Sequence, residues 1–136
     1  AQVVRRPDQV GDKSIALVAA GPLLFHALTA AEALAEKGVQ AFVVNPSVIS
    51  QPDLETLLPI LDETNNTLLT VEDHQVIGGM GSLLMQELAQ TGRALKAKCL
   101  GVKGEFGRSA YQADQLYALH GLDSQAITKS ALDLLG

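Results

Sequence analysis

Apolar runs alternate with amphipathic segments along the chain, and this alternation predicts strands and helices in turn. Continuous or weakly alternating apolar runs predict strands at residues 14–20, 39–45, 67–71 and 95–100. Val3 and Val4 predict a further short strand at a sheet edge. Apolar residues three and four positions apart predict helices that begin near residues 22, 53, 79, 112 and 123. Buried strands that alternate with helices are typical of a mostly parallel sheet covered on both faces.

Three of the predicted helices carry specific expectations about burial and shape. The first and the last each show one apolar face. The residues expected to be buried are Leu24, Leu28, Ala31 and Ala35 in the first helix, and Ile127, Ala131, Leu134 and Leu135 in the last. The second helix has Asp53 as a plausible N-cap. It contains Pro59, which removes a backbone donor and predicts a short or kinked helix.

Residues 67–82 form the most distinctive stretch, and we take them as the candidate site edge. The strand is predicted to end at Val71, and a polar turn of Glu72, Asp73 and His74 follows. The chain then enters a helix through glycines next to a serine: Gly78, Gly79, Gly81 and Ser82. Ligands of α/β sheets bind beyond the carboxyl ends of the strands, which is where this turn would lie.

Two interpretations of these glycines are open. The free backbone N–H groups of a helix start can bind an anion, whereas glycines can also let strand, turn and helix pack closely. The dinucleotide fingerprint is incomplete, because its third glycine is missing after Gly81, and no P-loop is present. Glu72, Asp73 and His74 could form an acid/base set, although three consecutive residues rarely converge on one substrate. No Gly-x-Ser-x-Gly nucleophile elbow accompanies them.

Two further features stand outside this stretch. Phe106 and Arg108 lie in a glycine-rich loop, residues 101–109. A phenylalanine beside an arginine is a candidate interface anchor, and Phe106 could equally fold back over the sheet edge. Cys99 lies in the last predicted strand, where we expect an inert apolar filler.

Composition narrows the classes of function. The chain has 136 residues, which suits one domain over residues 1–136, and its 47% hydrophobic content supports a proper core. A net charge of −5 without a basic stripe argues against a nucleic-acid binder. A single cysteine excludes a disulfide framework and suits a cytoplasmic setting, and no apolar run reaches membrane-spanning length. The missing initiator Met is consistent with a piece of something longer.

The ordered motifs resemble the C-terminal domain of the transketolase-type, thiamine diphosphate-dependent enzymes. Similar domains occur in deoxyxylulose-phosphate synthase and in the beta chains of 2-oxoacid dehydrogenases. The resemblance covers nearly the whole chain and rests on Val71-Glu72-Asp73-His74, Gly78-Gly79-Met80-Gly81-Ser82, Gly101-Val102, Phe106-Gly107, and Gly121-Leu122 with Ile127. One departure is Lys103-Gly104-Glu105, where the family often has Asp or Arg, so loop contacts of relatives do not transfer to this chain.

The resemblance implies a three-layer α/β/α fold with a five-stranded, mostly parallel sheet and one short antiparallel edge strand. It implies that other domains hold thiamine diphosphate and a divalent metal, so that this domain alone binds neither and contributes no catalytic residue. It also implies that the turn from Glu72 to Ser82 faces a neighbouring domain and a dimer partner.

The leading hypothesis is therefore a non-catalytic C-terminal domain or small subunit of a cytoplasmic, homo-oligomeric transketolase-like enzyme. Its partners would be the cofactor-binding domains or subunits of that enzyme, and neither nucleic acid nor membrane. The parent would transfer a two-carbon ketol unit between sugar phosphates, although relatives with this domain also decarboxylate 2-oxoacids. The alternative is a stand-alone regulatory domain that binds a phosphate or nucleotide anion at the strand ends, beside residues 79–82. A third hypothesis is a small α/β enzyme that uses His74.

Overall fold

Five strands and four helices are bounded in the computed structural model, which describes residues 1–102, 117–118 and 121–136. The strands are β1 (Gln2–Arg5), β2 (Ser14–Ala19), β3 (Gln40–Asn45), β4 (Thr67–Gln75) and β5 (Lys96–Val102). The helices are α1 (Leu23–Glu36), α2 (Leu54–Glu63), α3 (Met80–Ala89) and α4 (Ser124–Leu135). Most of the helix predicted from residue 112 to 120 lies outside the described residues.

The strands form one mixed sheet in the order β1-β3-β2-β4-β5. β3, β2, β4 and β5 run parallel, and β1 pairs antiparallel with β3 at the edge, with Val3 opposite Val44. The chain moves from β2 outward to β3 and then crosses back to β4 on the other side of β2. The connection from β2 leads to β3 on one side, and the connection from β4 leads to β5 on the other. Where neighbouring parallel strands connect in opposite directions, a crevice forms beyond their carboxyl ends.

Of the four helices with described bounds, two cover each face of the sheet. One apolar cluster joins α1 and α4 to one face, and the other joins α2 and α3 to the opposite face. Alternate residues of β2 point to the two clusters, as the period of a strand requires: Ile15 and Leu17 belong to the first, Ala16 and Val18 to the second. The predicted three-layer α/β/α fold with one short antiparallel edge strand is confirmed.

The buried face of α1 differs from the predicted one by about one residue's rotation. Its buried residues are Leu23, Ala27, Ala30, Ala31 and Leu34. Leu24 and Leu28 are only partly buried and Ala35 is exposed. Because leucines and alanines surround much of this helix, its sequence offers two overlapping apolar faces, and the packing against β2 and β3 selects between them. In α4, Ile127 and Ala131 are buried as predicted, whereas Leu134 and Leu135 are partly buried.

Helix α2 begins where the sequence indicates and continues past its proline. The side chain of Asp53 accepts a hydrogen bond from the backbone N–H of Thr56, which makes Asp53 the N-cap. Pro59 does not end α2, which runs on to Glu63. Proline costs the helix one backbone hydrogen bond, and the burial of Leu57 and Ile60 on the sheet offsets that loss.

We expect the side chain of Asp53 to remain an ionised N-cap of α2 until the pH approaches about 2. The Thr56 hydroxyl, 2.7 Å from Oδ2, is the main reason that the pKa of Asp53 falls from 3.8 to about 2, and the amine of Ala1 and the Thr56 N–H add to it. Because this pKa is lower in the folded state, the carboxylate stabilises the fold above pH 3.8 and ceases to do so as the pH falls through about 2. Carboxyl chemical shifts from NMR titration measure this pKa directly.

The variant Thr56→Val measures how much the Thr56 hydroxyl contributes to the lowered pKa of Asp53. Thr56→Val keeps the volume and the backbone N–H, so the pKa of Asp53 should rise towards 3.8. An unchanged titration curve in Thr56→Val would show that the hydroxyl does not hold the carboxylate.

Candidate functional site

Strand β4 continues through the residues that the sequence predicts to be a turn. It ends at Gln75, so Glu72, Asp73 and His74 lie on the strand and not in a loop. The pairing with β5 is irregular there, because Val71 pairs with Leu100 and Gln75 with Val102. Residues 72–75 of β4 thus lie opposite residues 101–102 of β5. Such a β-bulge redirects side chains at the end of a strand. Asp73 is half-buried, and the side chain of His74 lies outside the described part of the structure.

Glu72 links the end of β4 to the start of α3. Its side chain is fully buried. Oε1 accepts a hydrogen bond from the backbone N–H of Met80 and Oε2 one from that of Gly81, both at 2.8 Å. The first N–H groups of a helix have no partner within the helix, and its positive end favours a negative charge. Glu72 therefore acts as a built-in anion at the helix start.

The glycines of this segment have different roles. Gly78 adopts a left-handed conformation with φ +78°, and Gly79 is the N-cap of α3. Gly81 packs where no side chain fits, because a Cβ there would overlap the Thr70 hydroxyl and lie 3.0 Å from the Cys99 Sγ. This contact supports the close-packing interpretation of the glycines. Ser82 follows Gly81 in the first turn of α3 and is half-buried.

Gly81→Ala should destabilise the domain although alanine is the better helix former. Alanine gains roughly 0.5–1 kcal/mol of helix propensity. The overlap with the buried Thr70 side chain should outweigh this gain and lower the free energy of unfolding by about 1–3 kcal/mol. Denaturant unfolding measures the difference.

The matched control is Gly11→Ala, whose Cβ would meet only the flexible end of Gln40. That variant should stay within about 0.5 kcal/mol of the parent. Adding Thr70→Ala to Gly81→Ala should recover part of the loss, since it removes the overlapping hydroxyl. Equal stability of Gly81→Ala and Gly11→Ala would contradict the packing argument.

Cys99 behaves as the sequence indicates, as a packing residue. Burial raises the pKa of its thiol, the Thr70 hydroxyl lowers it in part, and the charge of Glu72 raises it further. The Thr70 hydroxyl itself is buried without a hydrogen-bond partner of good geometry. A half-buried thiol with a raised pKa stays protonated at neutral pH and is a poor nucleophile.

Two loops and the first turn of α1, all at the carboxyl edge of the sheet, expose apolar residues for which the sequence analysis made no prediction. Ile77, between β4 and α3, is 92% exposed, and Phe25, in the first turn of α1, is 75% exposed. Val48 and Ile49, between β3 and α2, are also exposed. The available signal was the sparse charge of these segments. Phe106 and Arg108 lie outside the described residues, and their role at an interface stays a prediction.

The described residues contain neither a group of metal ligands nor a membrane-spanning helix. Within residues 1–102, 117–118 and 121–136, no three His, Cys, Asp or Glu side chains are grouped to hold a metal ion. None of the helices described there is both long and apolar enough to span a membrane.

Comparison with known proteins gives one consistent result. The sequence model of the family "Transketolase, C-terminal domain" matches residues 6–127. The chain is 36% identical to 1-deoxy-D-xylulose-5-phosphate synthase of Syntrophus aciditrophicus over 90% of its own length and 19% of the relative's. It is 32% identical to one subunit of apulose-4-phosphate transketolase of Phocaeicola vulgatus over 89% of its own length and 38% of the relative's.

A solved structure, the inactive beta4 tetramer of a split gene transketolase, superposes with a TM-score of 0.81 at 29% identity. The superposition covers 92% of this chain and 40% of that one. Transketolase of Campylobacter jejuni, with a TM-score of 0.58 at 16% identity, shares the fold. This chain thus spans well under half the length of each of the two sequence relatives and of the split gene transketolase chain.

Proposed function

Because this chain belongs to the transketolase C-terminal domain family, we propose that it forms one non-catalytic domain or subunit of a cytoplasmic transketolase-like enzyme. It supports the assembly of the enzyme and packs beside the thiamine diphosphate site of partner domains. The parent enzyme transfers a two-carbon ketol unit between sugar phosphates and is a homo-oligomer. Relatives named as an apulose-4-phosphate transketolase and as a synthase of deoxyxylulose phosphate are consistent with a sugar-phosphate substrate.

The proposal rests on how much of this chain, and how little of each relative, the sequence alignments cover. About nine-tenths of this chain aligns with only 19% of the synthase and 38% of the transketolase polypeptide. The matched segment is therefore a part of those proteins, and the family description places it at the carboxyl-terminal end. The remaining length of the relatives provides room for the domains that hold the cofactor.

The position of Glu72 supports the non-catalytic role. A general acid or base must reach the proton that it transfers. Glu72 is fully buried, and both of its oxygens accept hydrogen bonds from the backbone of α3. The most central carboxylate of the candidate site is thus committed to holding the helix start.

The same contacts bear on the alternative, an anion site at residues 79–82. A phosphate at a helix start needs free backbone N–H groups, and those of Met80 and Gly81 already bind Glu72. An external anion would compete with a buried carboxylate of this chain. Phosphate or nucleotide binding is therefore disfavoured at these two N–H groups.

Thiamine diphosphate is proposed to bind outside this chain. No three His, Cys, Asp or Glu side chains of the described residues are grouped to hold a metal ion. We assign the cofactor and its metal to partner domains, and we derive no catalytic step on this chain.

Calorimetric titration tests the proposal. Thiamine diphosphate with Mg²⁺ should give no saturable heat with this chain alone, and saturable heat with the assembled enzyme. Saturable binding to the isolated chain would refute the proposed role. Inorganic phosphate tests the alternative, because a ligand of the folded state raises the melting temperature with concentration, and we expect no such rise.

A further inference from the structure

We propose that the exposed apolar residues at the carboxyl edge of the sheet form the surface on which the cofactor-binding domain or subunit docks. This carboxyl-edge surface consists of Phe25, Val48, Ile49 and Ile77. The inference rests on the proposed function and adds the location and the chemistry of the contact.

The topology brings these residues together. Phe25 follows β2, Val48 and Ile49 follow β3, and Ile77 follows β4. These three strands are neighbours in the sheet, in the order β3-β2-β4. Neighbouring strands lie about 4.8 Å apart, so their ends are spread over roughly 10 Å. The segments that carry these side chains therefore leave the sheet side by side at its carboxyl edge.

Their exposure is exceptional for this fold. Five large hydrophobic residues are exposed in the described part of the chain, and four of them belong to this surface. The fifth, Val10, lies at the opposite edge and is 36% exposed, whereas the four residues of the surface range from 39% for Ile49 to 92% for Ile77. Single exposed apolar residues are common, whereas a group of them on one surface indicates an interaction site.

Charge is sparse at the carboxyl edge of the sheet. The connections that leave β2, β3 and β4, residues 20–22, 46–53 and 76–79, contain one charged side chain, Asp53, and it pairs with the amine of Ala1 at 3.0 Å. At the amino edge, Arg6 pairs with Glu63 at 3.2 Å and Arg93 with Asp62 at 2.7 Å. The core of a protein interface is depleted of charge in this way. The amino edge has the character of a solvated surface.

The path of β1 indicates the occupant. β1 runs antiparallel, and Gln2 pairs with Asn45, the last residue of β3. A polypeptide that precedes this domain, as in relatives that are several times longer, would therefore reach it at the carboxyl edge. A domain tethered at this edge meets the carboxyl-edge surface at a high effective concentration. The occupant that suits this placement is the cofactor-binding part of the same enzyme.

A small-molecule ligand is a poor match for this edge. The recess beside Val48 and Ile49, which Val44, Leu57 and Leu84 also line, has a volume of about 20 Å³. Ligand pockets usually measure about 300–1,000 Å³. A recess of this size can accept the tip of one apolar side chain, as contact centres between proteins often do.

Hydroxyl-radical footprinting tests the proposal. The probe is the thiamine diphosphate-binding polypeptide of the same enzyme, as a separate subunit or within the full-length gene product. Phe25 and Ile77 should be oxidised at least fivefold more slowly in the assembled enzyme than in this chain alone. Val10 should be oxidised at the same rate in both. Protection of Val10 without protection of Phe25 and Ile77 would overturn the surface and leave the proposed function intact.

Two substitutions extend the test. Ile77→Asp should weaken binding of the separate subunit by roughly 10- to 30-fold, since a charge enters the centre of an apolar contact. Val10→Asp is the matched control and should change the affinity less than twofold. Both side chains are exposed, so the melting temperature should not change. Equal affinities would overturn the proposal, as would protection of Phe25 through self-association of this chain alone. If wild-type chain and probe form no complex, the proposed function fails as well.

Discussion

Replacing Glu72 with alanine is expected to lower the free energy of unfolding by about 2–5 kcal/mol. The substitution removes the acceptor of two buried N–H groups, those of Met80 and Gly81. Each donor left without a partner costs roughly 1–3 kcal/mol, and the helix start also loses the negative charge that its dipole favours. Chemical denaturation measures the loss, and faster amide exchange at Met80 and Gly81 would locate it.

Glu72→Gln provides the graded control. Its amide oxygen can accept one of the two N–H groups, but its NH₂ group faces the other donor. The loss should therefore lie between those of wild type and alanine. A cost below about 0.5 kcal/mol for alanine, the level of ordinary surface substitutions, would show that the carboxylate is dispensable for α3.

Leu69→Ala should also cost about 2–5 kcal/mol, because it opens a cavity between the central strand and the helices that cover it. Leu69 is fully buried in β4, where it pairs with Leu17 on one side and Lys98 on the other. Its side chain belongs to the cluster under α1 and α4. Unfolding in urea, with the slope compared between variants, gives this free energy.

Leu58→Ala is the matched comparison, since the same atoms are removed from a half-buried position on α2. It should cost less than Leu69→Ala, because less apolar surface returns to water. If Leu69→Ala cost less than about 1 kcal/mol, the central position of β4 would be in question.

Much of the fold could be predicted from the sequence, because each strand carries its own apolar pattern. The run at β2 predicts a strand buried on both faces, and every one of its residues is buried. The alternation at β5 predicts a half-exposed edge strand, which is confirmed. Gly38 ends α1 with φ +78°, as expected for a glycine that follows a helix.

The candidate site was harder to predict, because its key contact joins a strand residue to the start of the next helix. The spacing of apolar residues gives no sign of such a contact. Three polar residues after Val71 indicate a turn, since an isolated carboxylate does not belong in a buried strand. Glu72 stays on the strand because α3, eight residues later, supplies two donors. The predicted face of α1 was displaced by about one residue for a related reason: neighbouring strands decide which of two apolar faces is buried.

The last strand has a consequence for how the protein avoids aggregation. Among the described strands β5 forms an edge of the sheet, and an edge strand presents unpaired backbone groups to which another chain can add a strand. Lys96 and Lys98, at alternating positions of β5, are both exposed. Two positive charges side by side would repel the same strand of a second molecule. These lysines thus act against uncontrolled polymerisation through the free edge of the sheet.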